Sequence, residues 1–236
     1  ANRSSLVISM SHAIDKALLT KLTAPKVVVH DGIVDKASYD AIKAPVKPLN
    51  APFTFLIIGA IHPTKGQMTA LKAFHTLYQS HPSVRLIIAG TGRRLYAQKI
   101  KKYIRQHQLS SVVQYLGYVK NPYEVHAQAD AVLMCSKSEG MGRVTIEGML
   151  FSNPVIGYNG GATPELIEHG KDGLIYEGIE ELVSHMRFLV DNPQIAAAYG
   201  KKGRIKAGQN FLIEDFVKTI FSHLKQIEKP TTKTVE

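Results

Sequence analysis

The sequence predicts a doubly wound α/β domain, Rossmann-like, with a parallel sheet covered by helices on both faces. Three observations predict it. From residue 51 onward, short runs of strand length alternate with longer runs of helix length. The strand runs are near-continuously apolar rather than alternating with polar residues, as strands buried on both faces require. Glycines follow several of these runs, which suits tight strand-to-helix turns.

In order along the chain, "SSLVISMS" and "KVVVHDG" are short β-rich runs with a helical stretch, "HAIDKALLTKL", between them. "IKAPVKPLNAP" places three prolines in a short polar stretch and reads as a linker. Strand and helix then alternate: "FTFLIIG" and "GQMTALKAFHTLYQSH", "VRLIIAG" and "RRLYAQKIKKYIRQH", "VVQYLG" and a short helix near "NPYEVHAQA". "DAVLMCS" and "GRVTIEGMLFS", then "PVIGY" and "ATPELIEHG", continue the pattern to a last strand in "DGLIYE". Three helical stretches close it: "IEELVSHMRFLVDN", "PQIAAAYGKKGRIKAG" and "LIEDFVKTIFSHLKQI". Residues 1–50 read as a leading segment that ends in this linker (by the resemblance stated below, the end of an N-terminal half with its hinge), 51–228 as the main domain, and 229–236 as a disordered tail.

Composition narrows the function classes. The chain has 236 residues, 44% hydrophobic and 20% charged, with one cysteine and a formal net charge of +10. No internal disulfide can form, and no apolar run reaches the roughly 18 residues of a transmembrane helix. The expected location is cytoplasmic. The positive balance favours an anionic partner: nucleic acid, a membrane surface or a phosphorylated small molecule. The two basic clusters, "GRRLYAQKIKKYIR" and "KKGRIKAG", read as solvated helix faces, and a nucleic-acid partner is not expected. No H-x-x-H, H-E-x-x-H or Cys/His cluster occurs around His30, His62 or His169, so no metal is expected.

In doubly wound sheets ligands bind at the carboxyl ends of strands, so the turns there hold the candidate site. The first, "GAIHPTKGQ", offers Gly59 for a tight turn and Lys65 beside a helix start, where anions bind. The second, "AGTGRRL", matches only part of G-x-G-x-x-G, with Leu95 in the third glycine position. In "LGYVKNP", Tyr118 or Val119 can flank a flat base. The fourth, "SEGMGRVTIEGM", sets Glu139 and Glu147 on either side of a glycine turn that opens a helix. Gly140 and Gly142 expose backbone N–H groups for phosphate, and Arg143 adds charge-assisted bonds. A carboxylate at Glu147 repels phosphate but accepts hydrogen bonds from a ribose diol, while Glu139 can accept from sugar hydroxyls. Taken together, the spacing fits a nucleotide-sugar. Cys135 ends an apolar strand and reads as buried and inert, and no G-x-S-x-G elbow accompanies Ser136 or Ser138. In "GGATPELI", Gly160, Gly161 and Glu165 are candidates to line the cleft, and the alternative for Thr163 or Glu165 is to cap and start the helix.

The stretch "SEGMGRVTIEGMLFSNPVIGYNGGATPELIEHGKDGLIYE" resembles the C-terminal half of family-4 (group 1) glycosyltransferases of the GT-B fold, whose E-x7-E pattern matches Glu139 and Glu147. "GAIHPTKGQ", "LIIAGTG", "YLGYV", "ADAVLMCS" and "GGATPELI" follow in the family's order, and "VVVHDGIVD" resembles its hinge. The resemblance implies a retaining transferase that moves a hexosyl unit from a UDP-, GDP- or ADP-sugar to a sugar or lipid-linked acceptor, as in polysaccharide biosynthesis. It implies no metal or cofactor besides the donor. Lys65 then contacts the diphosphate, Gly140, Met141 and Gly142 present backbone amides, Glu139 binds the donor sugar, Glu147 holds the ribose, and Tyr118 and Val119 border the base. Ala60 stands where the family often carries an arginine on the diphosphate, and Arg143 is expected to supply that charge. An N-terminal GT-B half holding the acceptor is expected as partner, with little turnover without it, and peripheral contact with the inner face of a membrane suits a lipid-linked acceptor. A non-catalytic nucleotide-sugar-binding module and an NAD-binding Rossmann domain are the alternatives.

Overall fold

The computed structural model describes residues 4–18, 24–43, 48 and 51–228; the expected tail and most of the proline-rich linker lie outside them. The first elements are β1 (Val7–Ser9), α1 (His12–Leu18), β2 (Lys26–Val28) and α2 (Lys36–Ala41). β1 and β2 pair in parallel as a small separate sheet. Asp35 caps α2, its Oδ1 accepting the Ser38 N–H at 2.8 Å, and that N–H together with the Ser38 hydroxyl holds the Asp35 carboxyl below its ordinary pKa. Sequence periodicity did not predict this six-residue helix. It is held from outside: the Arg204 guanidinium donates to the Tyr39 carbonyl at 2.9 Å and to that of Ile42 at 2.5 Å.

The main body contains β3 (Phe53–Ile58), α3 (Gln67–Tyr78), β4 (Val84–Ala89), α4 (Arg94–Gln106), β5 (Val113–Gly117) and α5 (Pro122–His126). It continues with β6 (Ala131–Met134), α6 (Arg143–Leu150), β7 (Val155–Tyr158), α7 (Thr163–Leu166), β8 (Gly173–Tyr176), α8 (Ile179–Asp191), α9 (Pro193–Asn210) and α10 (Ile213–Glu228). The six strands form one parallel sheet in the order β5-β4-β3-β6-β7-β8. The predicted doubly wound architecture is therefore present, element by element, from β3 onward.

Strands β3, β4, β6 and β7 feed two cores. Phe55 and Ile57 face the layer of α3, α4 and α8, packed with Phe74, Leu77, Ile100 and Met186. Leu56 faces the other layer, with Ile146, Met149 and Phe151. Every such fully buried side chain contributes about 1.5–3 kcal/mol, so this double burial is why the strand runs are apolar without alternation. α6 lies close on the sheet because residue 148 is glycine: a Cβ there stands 2.9 Å from Val132 Cγ2. The strand order reverses between β3 and β6, and that switch point opens a crevice at their carboxyl ends.

Candidate functional site

The turns after β3 and β6 line one cavity of about 350 Å³ at the switch point. Gly59, Ala60 and Lys65 come from the first turn; Glu139, Met141, Gly142 and Arg143 come from the second. The first turn is built locally. His62 Nδ1 accepts the Thr64 N–H at 3.3 Å, Pro63 begins a single 3-10 turn, and Gly66 closes it in the left-handed region and starts α3. Gln67, buried, donates from Nε2 to the Ala60 carbonyl at 2.8 Å and braces the loop from below. Lys65 thus stands at the end of a rigid turn, and its ammonium is ion-paired with the Glu139 carboxylate. The pair is half-sheltered, with side-chain exposures of 35% for Lys65 and 14% for Glu139.

The second turn is held from two directions. Gly142 sits in the left-handed region at φ 74° and opens α6 with no side-chain cap, so the first N–H groups of α6 begin uncapped at the cavity. The Glu139 carbonyl accepts the Ala162 N–H at 2.9 Å, and Gly161, at φ 57°, lies so close that a Cβ on it stands 2.5 Å from the Glu139 backbone nitrogen and oxygen. On the other side, the buried Ser11 hydroxyl donates to the Gly140 carbonyl at 2.5 Å while accepting the Ile14 N–H at 3.2 Å. Gly140 lines a neighbouring 580 Å³ pocket under α1, which shares Glu139 with the first cavity. Met141 is buried in the core beneath, and Arg143 is exposed at the cavity edge.

Glu147, one helical turn beyond Arg143, faces α5 rather than the cavity wall. Its Oε2 lies 3.6 Å from Nε2 of His126, a fully buried ring stacked on Phe151. Tyr123 packs edge-on to Phe151, and burial, then the Glu147 charge, raises its phenol pKa. Val119 packs against the core, while Tyr118 is 75% exposed. Tyr118, Val119 and Glu147 therefore do not line the 350 Å³ cavity.

Glu165 does not cap its own helix; with Gly161 it lines the 580 Å³ pocket that holds Glu139 and Gly140, rather than the 350 Å³ cavity. Its carboxylate accepts the His12 and Ala13 N–H groups at 2.9 and 2.8 Å and lies 3.4 Å from His30 Nε2, fastening α1 to the main body. Burial works to raise its pKa, but those two N–H groups and His30 outweigh it and hold the carboxyl below the ordinary glutamate value. Cys135 is buried, and desolvation pushes its thiol up to about 12. Among the described residues no cluster of three or more His, Cys, Asp or Glu could hold a metal, and no helix is long and apolar enough to cross a membrane. Ser11, Gln67 and His126 are the site neighbours that sequence reasoning missed.

A parallel switch-point sheet with a lysine–glutamate pair and a glycine-opened helix at its crevice defines a Rossmann-like domain of the kind found in GT-B glycosyltransferases. Residues 39–206 match the family described as Glycosyl transferases group 1, and the chain belongs to that family. The alpha-monoglucosyldiacylglycerol synthase of Acholeplasma laidlawii is 29% identical over 180 residues, 72% of this chain and 44% of that protein. A GDP-mannose-dependent alpha-(1-6)-phosphatidylinositol monomannoside mannosyltransferase of Mycobacterium tuberculosis is 27% identical over 162 residues, 64% of this chain and 42% of that protein. The structure is similar to that of Anabaena HepE in complex with UDP, with a TM-score of 0.85 and 25% identity across 96% of this chain and 65% of HepE. The chain spans less than half the length of these two curated relatives.

Proposed function

We propose that the chain is the donor-binding half of a retaining glycosyltransferase that moves a hexosyl group from a nucleotide-sugar to an acceptor hydroxyl. The observation that carries this reading is the meeting of Lys65 and Glu139, from two different strand-end turns, in one cavity at the start of α6. A lone cation there would suit any phosphate. A cation touching a carboxylate suits a ligand that has both a diphosphate and hydroxyls.

In this reading Lys65 and the uncapped N–H groups of α6 take the diphosphate, and Arg143 adds charge from the opposite edge. As the bond between the anomeric carbon and the phosphate oxygen breaks, negative charge grows on the diphosphate, and these groups stabilise it. Glu139 accepts from the sugar hydroxyls and fixes the anomeric carbon toward the acceptor. Gly59 allows the diphosphate close to the backbone. Glu147 takes the ribose, and the Tyr118–Val119 turn borders the base. No metal or further cofactor takes part. HepE's complex with UDP supports a nucleotide ligand, and the glycolipids in the names of the Acholeplasma and Mycobacterium relatives support a lipid-linked acceptor. The acceptor is held by an N-terminal GT-B half, without which donor binds and turnover is slight; the enzyme works at the inner, cytoplasmic face of a membrane.

Calorimetric titration with UDP-glucose, GDP-mannose and ADP-glucose, each against its free diphosphate, tests this. One sugar donor is expected to bind more tightly than its diphosphate, and Glu139→Gln is expected to abolish the difference. Equal binding of sugar and diphosphate by the unaltered chain would overturn the role of Glu139. NAD binding in preference to all three donors would favour an NAD-binding Rossmann domain.

A further inference from the structure

The net charge is confined to one part of the chain. Residues 41–123 hold twelve Lys and Arg and no Asp or Glu, whereas the rest holds seventeen basic and nineteen acidic residues, so the whole excess of +10 rests on this stretch. In the fold it forms β3, α3, β4, α4 and β5, one end of the sheet. α4 carries the densest part: Arg93 at its cap, then Arg94, Lys99, Lys101, Lys102 and Arg105, all exposed. None of the six is ion-paired with a carboxylate among the described residues. The opposite side of α4 buries Ile100 and Ile104, so its cationic side is fixed outward.

An ordinary solvated helix face mixes charges of both signs. This one is unmixed and has an apolar tip. Leu95, between the arginines and the lysines, is 81% exposed, the highest value among the exposed large apolar residues, and Tyr118 on the adjoining turn follows at 75%. The turns are joined: the Gly90 N–H donates to the Gly117 carbonyl at 2.7 Å, and the Ile61 N–H to the Thr91 carbonyl at 2.9 Å. The tip therefore stands at the same end of the sheet as Lys65 and the candidate cavity.

We propose that the β4–α4–β5 edge, led by Leu95, is a docking surface for an anionic lipid bilayer. Cations attract the headgroups, and a leucine flanked by arginines enters the boundary between headgroups and acyl chains. A single-stranded polynucleotide needs the cations too, but it stacks successive bases on several aromatic rings, whereas this tip is led by aliphatic Leu95 with the single exposed ring of Tyr118 beside it. The inference rests on the proposed function in one respect: it turns the donor cavity toward the surface where a lipid-linked acceptor resides.

The test is co-sedimentation of the chain with vesicles of phosphatidylcholine alone or mixed with phosphatidylglycerol, at low and high salt. Binding is expected only to the anionic vesicles and is expected to weaken with salt. The combined variant Lys99→Glu, Lys101→Glu, Lys102→Glu, Arg105→Glu should lose at least about a hundredfold in partition, since each cation at the surface is worth about fivefold. Leu95→Ser should lose several-fold with the salt dependence unchanged. Lys201→Glu with Lys202→Glu, on exposed positions of α9, should change nothing. Partition of the α4 variant equal to that of the unaltered chain, or equal binding to neutral vesicles, overturns the proposal. Stronger binding to single-stranded RNA than to anionic vesicles also overturns it and assigns the surface to a polynucleotide. Calorimetric nucleotide binding by the same α4 variant reports separately on the donor site, which this substitution leaves intact.

Discussion

Gly161→Ala tests the placement of Glu139 more sharply than removal of the carboxylate would. Two costs add. Alanine at φ 57° is strained by about 1 kcal/mol. Its Cβ would also stand 2.5 Å from the Glu139 nitrogen and oxygen, where ordinary contact begins at 3.4 Å, so the Glu139 backbone must retreat by about 0.9 Å. That movement strains the Ala162 N–H bond to the Glu139 carbonyl, worth about another 1 kcal/mol, and the total loss of stability is about 2–4 kcal/mol. Gly170→Ala is the control: it has the same left-handed backbone, φ 75°, with nothing within 4 Å of its Cβ, so it should cost only about 1 kcal/mol. Urea unfolding measures both. Calorimetry with the preferred nucleotide-sugar should show Gly161→Ala losing up to about 100-fold, since a 1 Å misplacement can cost that much, while its free diphosphate binds nearly as before. Equal stability of the two variants, together with unchanged sugar affinity in Gly161→Ala, would refute the reasoning.

Other outcomes follow from the same geometry. Lys65→Ala should lower nucleoside diphosphate affinity by about 10- to 100-fold, the worth of a charge-assisted bond, and Arg143→Ala should lower it more than removal of an exposed surface charge does; both are read by calorimetry. Ser11→Ala removes the cap on the Ile14 N–H and the bond to Gly140, and should cost about 1–2 kcal/mol in urea unfolding together with a several-fold loss of sugar affinity. The Glu165 carboxyl has a lowered folded pKa, so the stability it contributes is present above its ordinary value of 4.5 and is lost as the pH falls through the lower folded value. Thermal unfolding should therefore show an acid-side loss that Glu165→Gln removes.

Much of the fold was legible because one physical constraint, burial on both faces, wrote itself into β3, β4 and β6 as apolar runs interrupted only by Thr54 and Arg85 near two strand starts. Lys65, Glu139 and Gly142 were legible as a group because strand-end turns converge wherever a parallel sheet reverses its order. What escaped depends on contacts remote in sequence. Ser11 reaches Gly140 across 129 positions, and Glu165 reaches His12 across 153, with no local pattern to announce either. His126 beside Glu147 likewise exists only once α5 and α6 are packed, and Gly161, legible as a cleft candidate, shows its contact with Glu139 only once the turn after β7 is in place. α2 carried a local signal, Asp35 three residues before Ser38, but its six residues hold no buried position to give periodicity.

The most direct test of the central claim is calorimetric titration of the chain with UDP, GDP, ADP and NAD, alongside Glu147→Ala. We expect one nucleoside diphosphate to bind selectively, NAD not to bind, and the variant to lose the affinity that ribose contacts supply. Binding of NAD in preference to every diphosphate, or no diphosphate binding at all, would contradict a donor-binding half.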